Sequence, residues 1–134
     1  MADENEITQN TVEPVDMIGE LCSILEQLGY PLYLQGSLDP NKQLPDSFFT
    51  YWSYSSPETA AYDNSSHQCI WGFWVYFYSV DPRIKDRVIE CAHKALKASG
   101  WTPNGRPVDV GTNIQTHTGR MFGVQKIENY TEEE

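Results

Sequence analysis

The sequence predicts an α+β domain: a mostly antiparallel sheet of about four to five strands packed by two helices, in the order helix, strands, helix, strand. Three observations carry this. Residues 14–28 and 82–99 repeat apolar side chains at three- and four-residue spacing, the pattern of amphipathic helices. Between them, residues 48–54 and 70–78 are aromatic and β-branched with no proline, which is a strand composition. After the second helix the chain is extended and punctuated by glycine. Helices kept apart from strands that follow one another define the α+β class, with the sequential strands expected to pair as a meander.

Residues 1–12 are polar and acidic and read as a frayed tail before a single domain over 13–128, with a second acidic tail at 129–134. In the first helix Ile18, Leu21, Cys22, Leu25 and Leu28 form one apolar stripe, Pro14 suits the first turn and Gly29 ends the helix. Tyr30-Pro31 leads into a short extended piece at 32–35. Residues 36–46 hold two turns, Asp39-Pro40-Asn41 and Pro45-Asp46. In the strand at 48–54, Phe48, Thr50, Trp52 and Tyr54 share one face, and Phe49, Tyr51 and Ser53 the other. A long polar connection, 55–66, follows.

The stretch 70–78 organises the rest. Trp71, Phe73, Val75 and Phe77 point one way; Ile70, Gly72, Trp74, Tyr76 and Tyr78 point the other. The first set is plain hydrocarbon and suits a core under helices. The second ends in phenol and indole groups, which favour half-wet contacts, so a partner is expected on the Trp74 side. Asp81-Pro82 then caps a helix whose stripe is Ile84, Val88, Cys91, Ala92, Ala95 and Leu96, closed by Gly100. A short strand is expected near 108–110. Residues 112–128 read as one long or bulged strand, or a hairpin, with Gly119 and Gly123 obscuring the register.

Composition limits the function. The chain has 134 residues, 13% of them aromatic, a net charge of −10 and a pI near 4.6. Phosphate backbones repel such a chain, and its aromatic strands carry no interleaved Lys or Arg, so a nucleic-acid-stacking sheet is disfavoured. No apolar run is long enough to span a membrane, and the acidic start is unlike a secretory signal, so the chain is expected in the cytosol where it is made. Three cysteines, Cys22, Cys69 and Cys91, argue against a disulfide framework, and Cys22 and Cys91 read as buried thiols.

Chemistry finds little purchase. His67 and Cys69 would share a strand face, but a metal needs two further ligands. Cys91 and His93 stand about 200° apart around a helix and cannot chelate together. His117, between Thr116 and Thr118, is the best general-base candidate, yet no nucleophile motif accompanies it. No phosphate-cradling loop is present. Neither a metal site nor a catalytic site is expected from these residues.

Four stretches taken in order, Pro45-Asp46-Ser47-Phe48-Phe49-Thr50-Tyr51-Trp52, Tyr62-Asp63-Asn64, Val75-Tyr76-Phe77-Tyr78-Ser79-Val80-Asp81-Pro82 and Thr116-His117-Thr118-Gly119-Arg120, resemble small tail terminator (tail completion) proteins of long-tailed phages and prophages. The likeness spans about residues 15–128. It implies an α+β structural virion protein, not an enzyme and without a cofactor, at the head–tail junction, assembled in the bacterial cytoplasm. In that family, copies form a hexameric ring on the last ring of the major tail tube protein. The ring ends polymerisation and offers a surface to the head–tail connector or stopper protein, while DNA passes through the lumen without specific binding. The alternatives are another head–tail joining or adaptor component on the same scaffold, and a small cytosolic binding module or enzyme with an aromatic pocket. Inferred contact residues are Tyr62, Asp63 and Asn64 in the polar connection and Trp74, Tyr76 and Tyr78 on the aromatic face. His117 and Arg120 complete the set, with Arg120 expected to meet a carboxylate across a subunit boundary.

Overall fold

The computed structural model describes residues 16–39, 41–54 and 66–131, with the backbone alone described at 66–69 and 128–131. Helix α1 spans Met17–Glu26. It starts where the Asp16 carboxylate accepts the Gly19 N–H at 2.8 Å, satisfying one of the unpaired amides of the first turn. It ends before Gly29, whose φ of 91° suits glycine. Strands β1, Leu32–Leu34, and β2, Ser47–Ser53, follow. Strand β3, Ser66–Ser79, leads to helix α2, Pro82–Ala98. Asp81 caps α2 by accepting the Arg83 N–H at 2.9 Å, and Pro82 takes the first helical position, where its missing N–H costs nothing. Three strands remain: β4, Thr102–Pro103; β5, Val108–Val110; and β6, Thr118–Thr131.

The six strands form one sheet in the order β1-β2-β3-β6-β4, with β5 also paired to β6. The α+β class and the mostly antiparallel sheet are therefore as expected, with six strands in place of four to five. The simple meander is not found. β3 and β6 are neighbours although α2, β4 and β5 lie between them in sequence, and β1 runs parallel to β2.

β3 and β6 pair without a break from Ser66↔Thr131 to Ser79↔Thr118. Residues 118–131 are thus one straight strand with no bulge, and β6 runs to Thr131, into the stretch read as a C-terminal tail. Residues 112–117 form a turn-bearing loop in place of the strand expected there.

Both helices pack on the same side of the sheet. Met17, Leu21 and Leu25 of α1 and Val88, Ile89, Ala92 and Leu96 of α2 share one cluster with Phe49, Phe73, Val75, Phe77, Phe122 and Val124. The alternation read in the central strand holds, because Phe73, Val75 and Phe77 are buried here and Trp71 packs at the margin. The helical stripes are rotated from those expected. α1 buries Met17 and leaves Ile18 exposed. In α2 the stripe runs Lys85, Val88, Ile89, Ala92, Leu96, which leaves Cys91 exposed and Cys22 half-buried. The two thiols are therefore not core residues. Cys22 lies against Tyr51, whose phenol is pushed up to about 12, first by burial and then by its bond to the thiol.

Trp101 closes the far side of the core. Its indole N–H donates to Glu20 Oε2 at 3.1 Å, and Lys126 Nζ lies 2.6 Å from the same oxygen and 5.6 Å from the ring centroid. This joins α1, the start of β4 and β6 through one carboxylate.

Phe73 is 1% exposed and meets Tyr51 and Trp101 edge-on or tilted. Phe73→Ala should cost about 3–5 kcal/mol in denaturant unfolding, the range for an emptied aromatic site.

Candidate functional site

The opposite side of the sheet carries no helix among the described residues. Register defines its surface. Trp52, Trp74 and Gly123 are aligned across three strands, as are Thr50, Tyr76 and Met121, and Phe48, Tyr78 and Gly119. Tyr33 on β1 and Val108 and Val110 on β5 extend these rows. None of these residues is charged. The charged side chains of β6 whose contacts are described, Arg120 and Lys126, point to the helix side.

Three glycines make room for rings. A Cβ on Gly123 would come 2.9 Å from the Trp74 ring, one on Gly119 2.8 Å from Tyr78, and one on Gly72 2.6 Å from Tyr54. Each ring therefore lies against bare backbone. Trp74↔Gly123 and Tyr78↔Gly119 are direct cross-strand partners, which is why the glycines do not weaken the ladder. Tyr54 and Trp74 pack with centroids 4.7 Å apart, and Tyr76 and Tyr78 lie parallel at 6.1 Å. Asn104 pins this layer from the β4 side: its Nδ2 donates to the Tyr54 hydroxyl at 2.6 Å, and its backbone N–H to Gly123 O at 2.8 Å.

The face has two ends. At one, loops cover Phe48, which is buried between Tyr33, Tyr78 and His117. At the other, Trp52 is 42% and Ile127 45% exposed. Trp74, Tyr76 and Tyr78 are half-buried between these ends. Burial pushes the Tyr78 phenol up, the neighbouring Tyr76 adds to this, and the nearby Thr50 hydroxyl opposes it.

His117 is 7% exposed and lies just before β6, so it is neither part of that strand nor an open base. Its Nε2 is 2.9 Å from Pro45 O and its Nδ1 2.9 Å from Thr116 Oγ1, with the ring edge-on to Phe48. These contacts tie the 112–117 loop to the start of β2. Arg120 lies on the other side of the sheet. Its Nη1 donates to Asp109 Oδ1 at 2.8 Å, and Lys85 Nζ reaches the same oxygen at 3.0 Å. The Lys85 hydrogen bond first, and Arg120 second, hold the Asp109 carboxyl below its usual range. The carboxylate expected across a subunit boundary for Arg120 is thus found within the chain, because β5 pairs Asp109 directly with Arg120.

The structure brings Trp74, Tyr76, Tyr78 and His117 to one face and separates Arg120 from them. Tyr62, Asp63 and Asn64 lie outside the described residues. The sequence reading missed Trp52, Phe48, Thr50 and Tyr54 as parts of this surface, although their common period-two face signalled it. His67 and Cys69 fall where only the backbone is described. No group of three or more His, Cys, Asp or Glu able to hold a metal occurs among the described residues, and no helix there is long and apolar enough to cross a membrane.

The chain matches no protein-family model and no curated protein.

Gly123→Ala should push the Trp74 ring off the sheet. We expect a changed near-ultraviolet circular dichroism signal and a loss of about 1–3 kcal/mol, the usual cost of overpacking. An unchanged indole signal would show that the ring does not lie on this glycine.

Proposed function

We propose that this chain is a structural subunit of a long-tailed phage or prophage particle: a tail terminator. Copies form a ring, a hexamer by family resemblance, that caps the tail tube, stops its growth and receives the head connector. The observation that carries the reading is the helix-free sheet face, aromatic and without charge at its strand positions. Tyr and Trp are favoured at protein interfaces because they combine large apolar area with a polar tip. The ordered resemblance of four sequence stretches to tail terminators supports the same assignment.

Electrostatics supports the choice of contact face. Copies of a chain with charge −10 repel one another. They meet at least Coulomb cost through a surface that holds no charge, and burying that surface leaves no ion to desolvate. The remaining acidic surface suits a lumen along which DNA slides without sticking. Ring closure needs two different patches on each copy, so the aromatic face meets a second surface of the neighbour. The work is done by binding, with no reaction to catalyse.

Light scattering on the eluting protein tests this. Wild type should run as a ring, alone or on added tail tubes. Trp52→Glu puts a charge at an exposed position, so the fold should survive while association weakens roughly tenfold or more, about 1.4 kcal/mol. Trp74→Ala should act in the same direction. Loss of the gene should leave tubes of uncontrolled length and unjoined heads. A wild-type monomer that ignores tubes, or a Trp52→Glu chain that assembles normally, would remove the support for this face.

A further inference from the structure

We propose that the acidic N-terminal segment, residues 1–15, docks on a basic stripe along the solvent side of α2 in the same chain. Charge is distributed unevenly along the sequence. Five of the nine Lys and Arg residues lie in α2, with two of the 19 Asp and Glu residues, so the helix carries +3 and the other 117 residues −13. At about 100° per residue, Arg83, Arg87, Lys94 and Lys97 fall within about 80° of the helix circumference. All four are exposed. They stand roughly opposite Val88, Ile89, Ala92 and Leu96, which pack into the core cluster.

These cations are poorly partnered. Arg83 Nε lies 3.8 Å from Asp81 Oδ1, at the edge of an ion pair. Arg87, Lys94 and Lys97 make no ion pair among the described residues. Glu90 is the single carboxylate within the arc, and Asp86 at its edge is 3.3 Å from Lys85 Nζ. A cationic stripe on a chain of net charge −10 attracts that chain's own carboxylates.

Sequence and placement select the segment. Residues 1–15 hold Asp3, Glu4, Glu6 and Glu13 and no Lys or Arg. They join the fold at Asp16, the cap of α1. The first turn of α1 lies beside the end of α2, because Lys126 Nζ reaches Glu20 Oε2 at 2.6 Å and Ser99 O at 3.4 Å. The segment therefore enters near Lys97, at one end of the stripe. From Lys97 to Arg83 is about 21 Å along the helix, and a segment of this length reaches about 50 Å when extended. One exposed ion pair contributes little, but the tether holds the carboxylates at an effective concentration on the order of millimolar. DNA, the competing polyanion, meets the repulsion of the whole chain. The docking needs one chain, so it is independent of ring formation.

Amide NMR shifts of the full chain test this between about 10 mM salt, where the screening length is about 30 Å, and about 1 M, where it is about 3 Å. In wild type, the amides of residues 3–13 and 87–97 should move together as salt releases the segment, at any protein concentration. In the Arg87→Gln/Lys94→Gln/Lys97→Gln chain the movement of residues 3–13 should disappear. The reciprocal Glu6→Gln/Glu13→Gln chain alters no residue of the core cluster and should lose the movement of residues 87–97. Shifts of residues 3–13 that ignore salt would overturn the proposal, as would shifts that respond equally in the variants. A response that grows with protein concentration would place the segment on another copy and overturn docking within one chain.

Discussion

Two helices lie on one side of a six-stranded sheet, and that asymmetry constrains the rest of the molecule. α1 and α2 meet Phe49, Phe73, Val75, Phe77, Phe122 and Val124 in a single cluster. The other side has no second layer among the described residues, so its apolar rows must be shielded by their own packing or by another molecule. Loops from 35–38 and 111–117 shield one end. Trp52 and Ile127 remain open at the other.

The uncovered side manages its exposure in two ways. Rings are laid flat where the facing strand offers glycine, so Trp74, Tyr78 and Tyr54 cover backbone and lower the height of the surface. Charge is kept off it. The described ion pairs that brace the sheet lie on the helix side or at its margin: Lys85 and Arg120 on Asp109, and Lys126 on Glu20. Among the described residues, this segregation leaves a neutral, aromatic surface on a chain of net charge −10. That surface is the one through which we propose that copies associate.

Much of the fold was legible because it is local. Strand alternation at 70–78 depends only on successive side chains, and it assigned Phe73 and Trp74 to opposite faces. The Asp81-Pro82 start and the Gly29 stop are likewise set within one turn. What was not legible depends on distant residues. Lys85 belongs to the buried stripe of α2 because Asp109 receives its ammonium group, and no spacing within the helix announces that partner. Gly119 and Gly123 look like register breakers until Tyr78 and Trp74 are placed opposite. His117 reads as a strand residue until Pro45, far away in sequence, accepts its ring. The parallel pairing of β1 with β2 joins strands separated by the 35–46 interval, whose sequence carries no periodicity. On the candidate site, the aromatic half was readable from period-two pattern. The covered end was not, since the loop that closes it over Phe48 meets the start of β2 only in the folded chain.

The central claim is that the helix-free face is covered by protein in the working assembly. Hydroxyl-radical footprinting of Trp52, read by mass spectrometry on the free chain and on the chain bound to tail tubes, measures this directly. Strong protection of Trp52 in the bound form, with exposed Cys91 on α2 oxidised at the same rate in both, is the result expected here. Equal oxidation of Trp52 in both forms would contradict the account.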